Sequence, residues 1–289
     1  MRAPSLPELL VSHWNLSVAL TVYGCASALL YLTAVRRTRR PWPVHRTLCF
    51  LAGIGSVWVA LESGIDAYDD GLLSVHMVQH LILLVVAPAL LLGGRPTLLV
   101  LASAPAGTRR KLGTALISLR PLTHPLGCLL VFYLVVGGTH IPSFYDATLR
   151  HVALHDTEHA LYLLGGLLLW WPVLGGDPAP SRRLNGFLQL GYIIAAMLPM
   201  EVIGAYLSRA PMLFYPPYGP AGHALGASPL VDQANAGAIM WVCGGVVMVA
   251  VVLWSSMHAM VQEERRLQAR EAYESAAPAP GAVKPGGTR

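Results

Sequence analysis

Histidines recur at four-residue intervals in two separate apolar segments of this sequence. His76 and His80 form one pair, and His151, His155 and His159 form a ladder in the other segment. Residues four apart on an α-helix share a face and lie about 6 Å apart along its axis, so two such imidazoles can share one metal ion. The ends of the ladder are roughly 12 Å apart, so one ion cannot bind all three of its members. We therefore predict that His76, His80, His155 and His159 are metal ligands.

Carboxylates and thioethers accompany these histidines. Glu158 shares a helix face with His151 and His155, where a carboxylate can hold an imidazole in one tautomer. We therefore expect His151 and Glu158 to be entry or outer-sphere groups, and Met200 and Glu201 to be further candidate ligands. The four cysteines have no CxxC spacing, which argues against thiolate ligation. Imidazole, thioether and carboxylate without thiolate suit a copper ion better than structural zinc.

The same residues allow two other chemistries. His155–Asp156–Thr157–Glu158–His159 fits H-x-x-E-H, the pattern of inverted zinc proteases, so a zinc-dependent intramembrane hydrolase with Glu158 as its base is an alternative. Histidines on neighbouring helices can also ligate haem b without a covalent attachment motif. No nucleophile–base pair with an oxyanion partner is visible, which favours a protein that is not an enzyme. The spacing alone does not separate the three metals.

These residues lie in a sequence that is too apolar for a soluble domain. Of the 289 residues, 54% are hydrophobic and 12% are charged, whereas soluble domains have roughly 25% charged residues. Seven long uncharged runs predict an all-α bundle of seven transmembrane helices, because helices satisfy their own backbone in lipid. The predicted spans are about 14–35, 47–65, 73–93, 122–139, 151–173, 185–207 and 232–259. The segment 208–231 is rich in proline, glycine and aromatic residues, which argues against regular structure there.

Basic residues predict the orientation of the bundle. If the N-terminus lies outside, 17 of the 20 Lys and Arg residues face the inner side of the membrane. We therefore expect a multi-pass protein of the bacterial plasma membrane with an outer N-terminus and an inner C-terminus. The net charge of +5 reflects this topology, so lipid is an expected partner and nucleic acid is not. Residues 1–262 form the predicted transmembrane domain, and 263–289 form a predicted disordered cytoplasmic tail.

Ionisable residues concentrate at the predicted outer ends of six of the seven helices. Besides the histidines above, this end contains Glu62, His140, Asp232 and Gln233, whereas the inner halves contain few such groups. Charged and metal-binding side chains within a membrane are energetically costly, so each one is a candidate for function. The acidic segment 66–71 after the second span is predicted to be a solvent-exposed turn.

Several short elements resemble those of a known family. They are His76–Met77–Val78–Gln79–His80 with Val85–Val86–Ala87–Pro88, His155–Asp156–Thr157–Glu158–His159 leading to Trp170–Trp171–Pro172, and Asp232–Gln233 with Gly237–Ala238–Ile239–Met240–Trp241. Over about residues 15–260 the chain resembles the seven-helix CtaG family, assembly factors of caa3-type cytochrome c oxidase. The resemblance implies an assembly chaperone for the oxidase that acts in its maturation or in copper delivery. Its expected partners are oxidase subunits and periplasmic copper chaperones, and we expect copper to be held transiently in the outer leaflet.

Overall fold

The computed structural model describes residues 6–11, 13–39, 41–174, 184 and 186–276, and all regular structure in these ranges is helical. The helices of the first half are α1 (Leu6–Val11), α2 (Val18–Arg37), α3 (Val44–Glu62), α4 (Gly64–Asp69), α5 (Leu73–Leu81), a π-helical segment (Ile82–Val86), α6 (Ala87–Gly93), α7 (Pro96–Ser103), α8 (Ala106–Ser118) and a 3-10 turn (Arg120–Thr123). Those of the second half are α9 (Pro125–Thr139), α10 (Pro142–Thr148), α11 (Val152–Leu174), α12 (Gly186–Arg209), α13 (Tyr218–Ala224), α14 (Pro229–Ala238), a second π-helical segment (Ile239–Cys243) and α15 (Gly244–Ala276).

Within the described ranges, five helical stretches are long and apolar enough to cross a membrane. They are Val18–Arg37, Val44–Asp69, Leu73–Ser103, Phe187–Arg209 and Pro229–Trp254. A sixth arises if α9 and α10, which meet at an angle of 76°, form one broken span. The 23-residue helix α11 is not among them, because its polar first turns, with His155, Glu158 and His159, lower its hydropathy. The all-helical membrane character is confirmed, while the count of seven spans and the orientation stay predictions.

Proline and glycine account for several helix boundaries. Pro125 and Pro142 each lie in the first turn of a helix, where the missing N–H costs no hydrogen bond. At the end of α6, Gly93 and Gly94 are followed by Arg95 in the left-handed conformation, with φ of 52°, before α7 begins at Pro96. Helix α11 lies within one residue of its predicted bounds.

Two sequence expectations are wrong. The acidic segment after the second predicted span is largely helix α4, and Asp69 at its end is only 2% exposed. The proline-rich segment 208–231 contains α13, because Tyr218 is buried in the bundle and anchors a short helix there. Helix α15 runs on to Ala276, into the range 263–289 of the predicted tail; residues 277–289 lie outside the described ranges, and the disorder of the tail stays a prediction.

Close packing of small residues brings the long helices together. A Cβ atom at Gly166 of α11 would collide with the carbonyl oxygen of Leu84 in the first π-helical segment. A Cβ atom at Gly204 of α12 would lie 2.7 Å from the carbonyl oxygen of Gly237 in α14. Backbones approach this closely in membrane bundles where small residues face each other.

The chain divides at Val252 into two compact units. The first unit is the helical bundle, and it contains helices α1 to α14.

Candidate functional site

Helices α5 and α11 bring four histidines together inside the bundle, and we call His76, His80, His155 and His159 the histidine cluster. Ligand atoms of His76, His80 and His159 all lie within 4.8 Å of one another. The Nε2 atoms of His76 and His80 are 2.7 Å apart. These three residues are 0%, 3% and 6% exposed. Three imidazoles that converge in this way can coordinate one metal ion.

Two carboxylates border the cluster. His155 and Glu158 form a second possible ligand group with His76, and Asp69 forms a third with His155 and His159. The Nε2 atom of His155 lies 3.7 Å from Oδ2 of Asp69. Asp69 was predicted to face solvent, but the fold of α4 directs it to the cluster. The side chain of His155 is 15% exposed although its Nε2 atom is buried, so His155 is the most exposed of the four histidines.

Tyr218 of α13 orients His76. Its hydroxyl lies 2.8 Å from Nδ1 of His76. Tyr218 lies in the segment between the long helices α12 and α14, and burial raises the pKa of its hydroxyl well above the usual value, so the group stays protonated. An outer partner on one ring nitrogen is typical of metal-ligating histidines, because it fixes the ring and its tautomer. If Nδ1 of His76 donates to Tyr218, its Nε2 presents a lone pair to the cluster.

Gln79 orients His159 in the same way. Its amide nitrogen donates to the carbonyl oxygen of Ala60 at 3.0 Å and to Oδ1 of Asp66 at 3.1 Å. Its amide oxygen therefore faces Nε2 of His159 at 3.1 Å and accepts a hydrogen bond from the N–H of that nitrogen. The proton of His159 is thus on Nε2, which leaves the lone pair of Nδ1 available to a ligand.

Several buried polar atoms around the cluster have no hydrogen-bond partner. They are Nε2 of His155, Oδ2 of Asp69 and both carboxylate oxygens of Glu158. Leaving a buried polar atom unpaired costs roughly 1–3 kcal/mol, and more if it is charged. Such a concentration of unpaired ligand atoms fits a cation that compensates them. The atoms that converge here are imidazole nitrogens and carboxylate oxygens, whereas the sequence prediction also included a thioether, and metal binding by this set stays a prediction.

The remaining predicted site residues lie apart from the cluster. His151 is exposed just before α11 begins and joins none of the ligand groups found among the described residues. Glu201 is half-buried, and its Oε1 lies 3.2 Å from the position of a Cβ atom at Gly245. Met200 lines a small cavity together with His80, so it is near the cluster without being part of it.

Other polar residues at this end of the bundle serve its architecture. Both carboxylate oxygens of Glu62 accept a hydrogen bond from the backbone N–H of Ser17, just before α2. Asp232 accepts from the N–H of Leu73 at 2.7 Å, where α5 begins. Gln233 accepts from the N–H of Phe214 at 2.7 Å and so holds the α12–α14 connection. The concentration of polar residues at this end of the helices therefore has two causes: some of them cap helices or anchor loops, and others form the histidine cluster.

Four residues of the site were not predicted from the sequence: Gln79, Tyr218, Asp66 and Asp69. Gln79 lies between His76 and His80, so its position next to the histidine pair was an available signal. Tyr218 is more than 50 residues from the nearest histidine of the cluster, and no periodicity links the two.

Comparison with known proteins identifies the family. The model of the cytochrome c oxidase caa3 assembly factor family matches residues 29–262. An uncharacterised protein of Mycobacterium leprae is 29% identical over 255 residues, which are 82% of this chain and 37% of that protein. An uncharacterised protein of Mycobacterium bovis is 28% identical over 284 residues, 93% of this chain and 42% of that protein. The chain thus spans less than half the length of these relatives, and no solved structure matches it. Because the family model covers most of its length, the chain belongs to the caa3-type cytochrome c oxidase assembly factors.

Proposed function

We propose that this protein binds a copper ion transiently at the histidine cluster, in the outer leaflet of the bacterial plasma membrane, and passes it to a subunit of cytochrome c oxidase. One observation carries the proposal: three buried imidazoles from two helices place their ligand atoms within 4.8 Å of one another. Histidines that only joined helices would not need to converge on one point. The family membership supplies the client, since its members assemble the caa3-type oxidase.

The donor set favours copper as the cargo. Imidazole nitrogen suits copper well, and no cysteine belongs to the ligand groups found in the described part of the chain. Transient binding is supported by His155, which is partly exposed while the other three histidines are buried. We infer that the ion enters and leaves the cluster at His155. Its partner in these steps is a periplasmic copper chaperone or an oxidase subunit.

The geometry supports the two other metal chemistries less well. A zinc hydrolase would use Glu158 to activate water, yet both of its carboxylate oxygens are buried. A haem b carrier would need space for a porphyrin, whereas the cavity beside His80 has a volume of only about 20 Å³. We therefore propose a metal-binding assembly factor that is not an enzyme.

The test replaces single histidines by glutamine. In His76→Gln and His159→Gln, a side chain of similar length still hydrogen-bonds but is a poor copper ligand. We expect copper in the purified protein to fall to background, and oxidase activity to be lost, in a strain that carries only the variant. The matched control is His124→Gln, because His124 lies just before α9 and outside the ligand groups. Full copper content in both cluster variants would refute the ligand assignment, and loss of the protein itself would indicate a structural role.

A further inference from the structure

A small cavity adjoins the histidine cluster at His80. Its volume is about 20 Å³, which accommodates one water-sized sphere. Its lining includes two histidines, three methionines and one tyrosine: His80, His140, Met77, Met200, Met240 and Tyr162. The cavity is therefore lined by possible metal ligands and has room for one ion.

Two imidazole nitrogens in this lining are buried and unpaired. Nδ1 of His140 lies 2.8 Å from the carbonyl oxygen of Val136 and must donate its proton there. The other nitrogen of His140, Nε2, therefore carries a lone pair, and it is buried without a hydrogen-bond partner. A histidine that donates one N–H to a backbone carbonyl and leaves the other nitrogen free has the usual arrangement of a metal ligand. Nδ1 of His80 is likewise buried and unpaired.

Three thioethers in the lining are further possible ligands. Met77 follows His76 on α5, Met200 lies on α12, and Met240 lies in the second π-helical segment. Gly244 leaves room for Met200, because a Cβ atom at Gly244 would lie 2.6 Å from the terminal methyl carbon of Met200. Thioether sulfur is a soft ligand that selects Cu(I) over harder cations. The chemistry of this cavity therefore differs from that of the carboxylate-bordered histidine cluster.

We propose that His80, His140 and the thioethers of Met77, Met200 and Met240 form a Cu(I) site, the methionine site. The inference rests on the proposed function, since it describes how copper is held inside the same bundle. The methionine site uses Nδ1 of His80, whereas the histidine cluster uses Nε2 of the same ring. A neutral imidazole has one lone pair, so His80 ligates an ion in one site at a time.

This shared ring connects the two sites. When an ion leaves Nε2 of His80 for Nδ1, the single ring proton changes from Nδ1 to Nε2. The new N–H then donates to Nε2 of His76, which is 2.7 Å away and has lost the same ion. No electron is transferred and the net charge is unchanged. The histidine cluster and the methionine site are thus successive positions of one Cu(I) ion.

The experiment loads the purified full chain with Cu(I) under anaerobic conditions and records X-ray absorption at the copper edge. We expect sulfur and nitrogen in the first shell of the unmodified protein. In Met200→Leu/Met240→Leu, a nearly volume-conserving change, the sulfur scattering should fall to about a third, because only Met77 remains. Competition with a Cu(I) chelator should show an affinity at least about tenfold lower, since even outer-sphere changes cost roughly 10–100-fold. His140→Gln should also weaken binding.

Two further variants keep the result interpretable. Met248→Leu changes a fully buried methionine outside the cavity lining and should retain sulfur scattering and affinity. His76→Gln, which should carry only background copper when purified from cells because its histidine cluster is incomplete, should still bind Cu(I) added in vitro, with sulfur ligands. A nitrogen-only shell in the unmodified protein, with unchanged affinity in the double methionine variant, would overturn the methionine site and leave the proposed function intact. Failure of the unmodified protein to bind Cu(I) or Cu(II) would overturn both proposals.

Discussion

Gln79 connects three parts of the bundle through a single side chain. Its amide binds the carbonyl oxygen of Ala60 in α3, the carboxylate of Asp66 in α4 and the ring of His159 in α11. Because both amide protons are used on α3 and α4, only the amide oxygen is left for the histidine. Gln79 therefore fixes both the position of His159 and the nitrogen that carries its proton.

We expect Gln79→Leu to weaken copper binding without removing a ligand. The change frees the His159 ring to rotate, and losing such an outer partner typically lowers metal affinity by roughly 10–100-fold. It also leaves buried polar groups unpaired, at a cost of about 1–3 kcal/mol of unfolding free energy. Gln189→Leu is the control, because Gln189 also donates to backbone carbonyls but lies near Val173 and Leu184. Equal copper affinity in the two variants, measured by competition with a chelator, would contradict the orienting role.

The elements that hold the site depart from regular α-helix beside it. The π-helical segment Ile82–Val86 begins two residues after His80, and the segment Ile239–Cys243 contains Met240. Single-turn π-helical segments inside α-helices occur frequently at functional sites, because the extra residue shifts the faces of the helix before and after it. Gly166 then lets α11 pack directly on the backbone of the first segment. The contact at Gly166, two helical turns from His159, thus holds α11 close to the π-helical segment that follows α5.

Gly166→Ala tests this packing. The added Cβ would meet the backbone oxygen of Leu84 and Cγ of Pro88, neither of which can move aside without a helix shift. We expect about 1–3 kcal/mol of destabilisation from overpacking, seen as a lower thermal unfolding midpoint in detergent, together with weaker copper binding. Gly137→Ala in α9 is the control, since nothing lies within 4 Å of its Cβ position. An unfolding midpoint as high as that of the control would show that α11 is free to shift.

At the scale of the whole molecule, a group of arginines around Arg46 lies at the opposite end of the bundle from the histidine cluster. Arg46 begins α3, whereas Ala60 near its end accepts the hydrogen bond from Gln79. Fourteen residues of α-helix separate the two by about 21 Å. Around Arg46, a cleft is lined by three further arginines, Arg37, Arg39 and Arg109. If basic residues face the cytoplasm, the histidine cluster is at the outer side of the membrane.

Cysteine labelling tests this orientation in a background from which the native Cys25, Cys49, Cys128 and Cys243 have been removed. Ser228 lies just before α14, at the end of the bundle where Asp232 accepts a hydrogen bond from the start of α5. Gln268 lies in the last part of α15. Both residues are exposed. We expect an impermeant maleimide to label Ser228→Cys in intact cells and to label Gln268→Cys only after permeabilisation. Labelling of position 268 in intact cells would place the histidine cluster at the cytoplasmic side.

Local sequence patterns suffice to predict the long helices and the shared faces of the two histidine-bearing segments. Charge-free runs predict helices such as α2, and the four-residue spacing places His76 with His80, and His155 with His159, on common faces. These are local properties, because hydropathy and helical periodicity depend only on neighbours in the chain. The prediction that these four histidines belong together followed from that periodicity and from their equal depth along the helices.

Only the tertiary structure decided which distant groups complete the site. Tyr218, Asp69 and Gln79 reach the cluster from three different elements, and His140 meets the methionines across the bundle. These contacts depend on the angles at which helices pack and on the register shifts introduced by the π-helical segments. Neither leaves a periodic trace in one sequence, since the same residues in straight helices would point elsewhere. The folding of the acidic segment and of the proline-rich segment into short helices follows from burial, which only the assembled bundle provides.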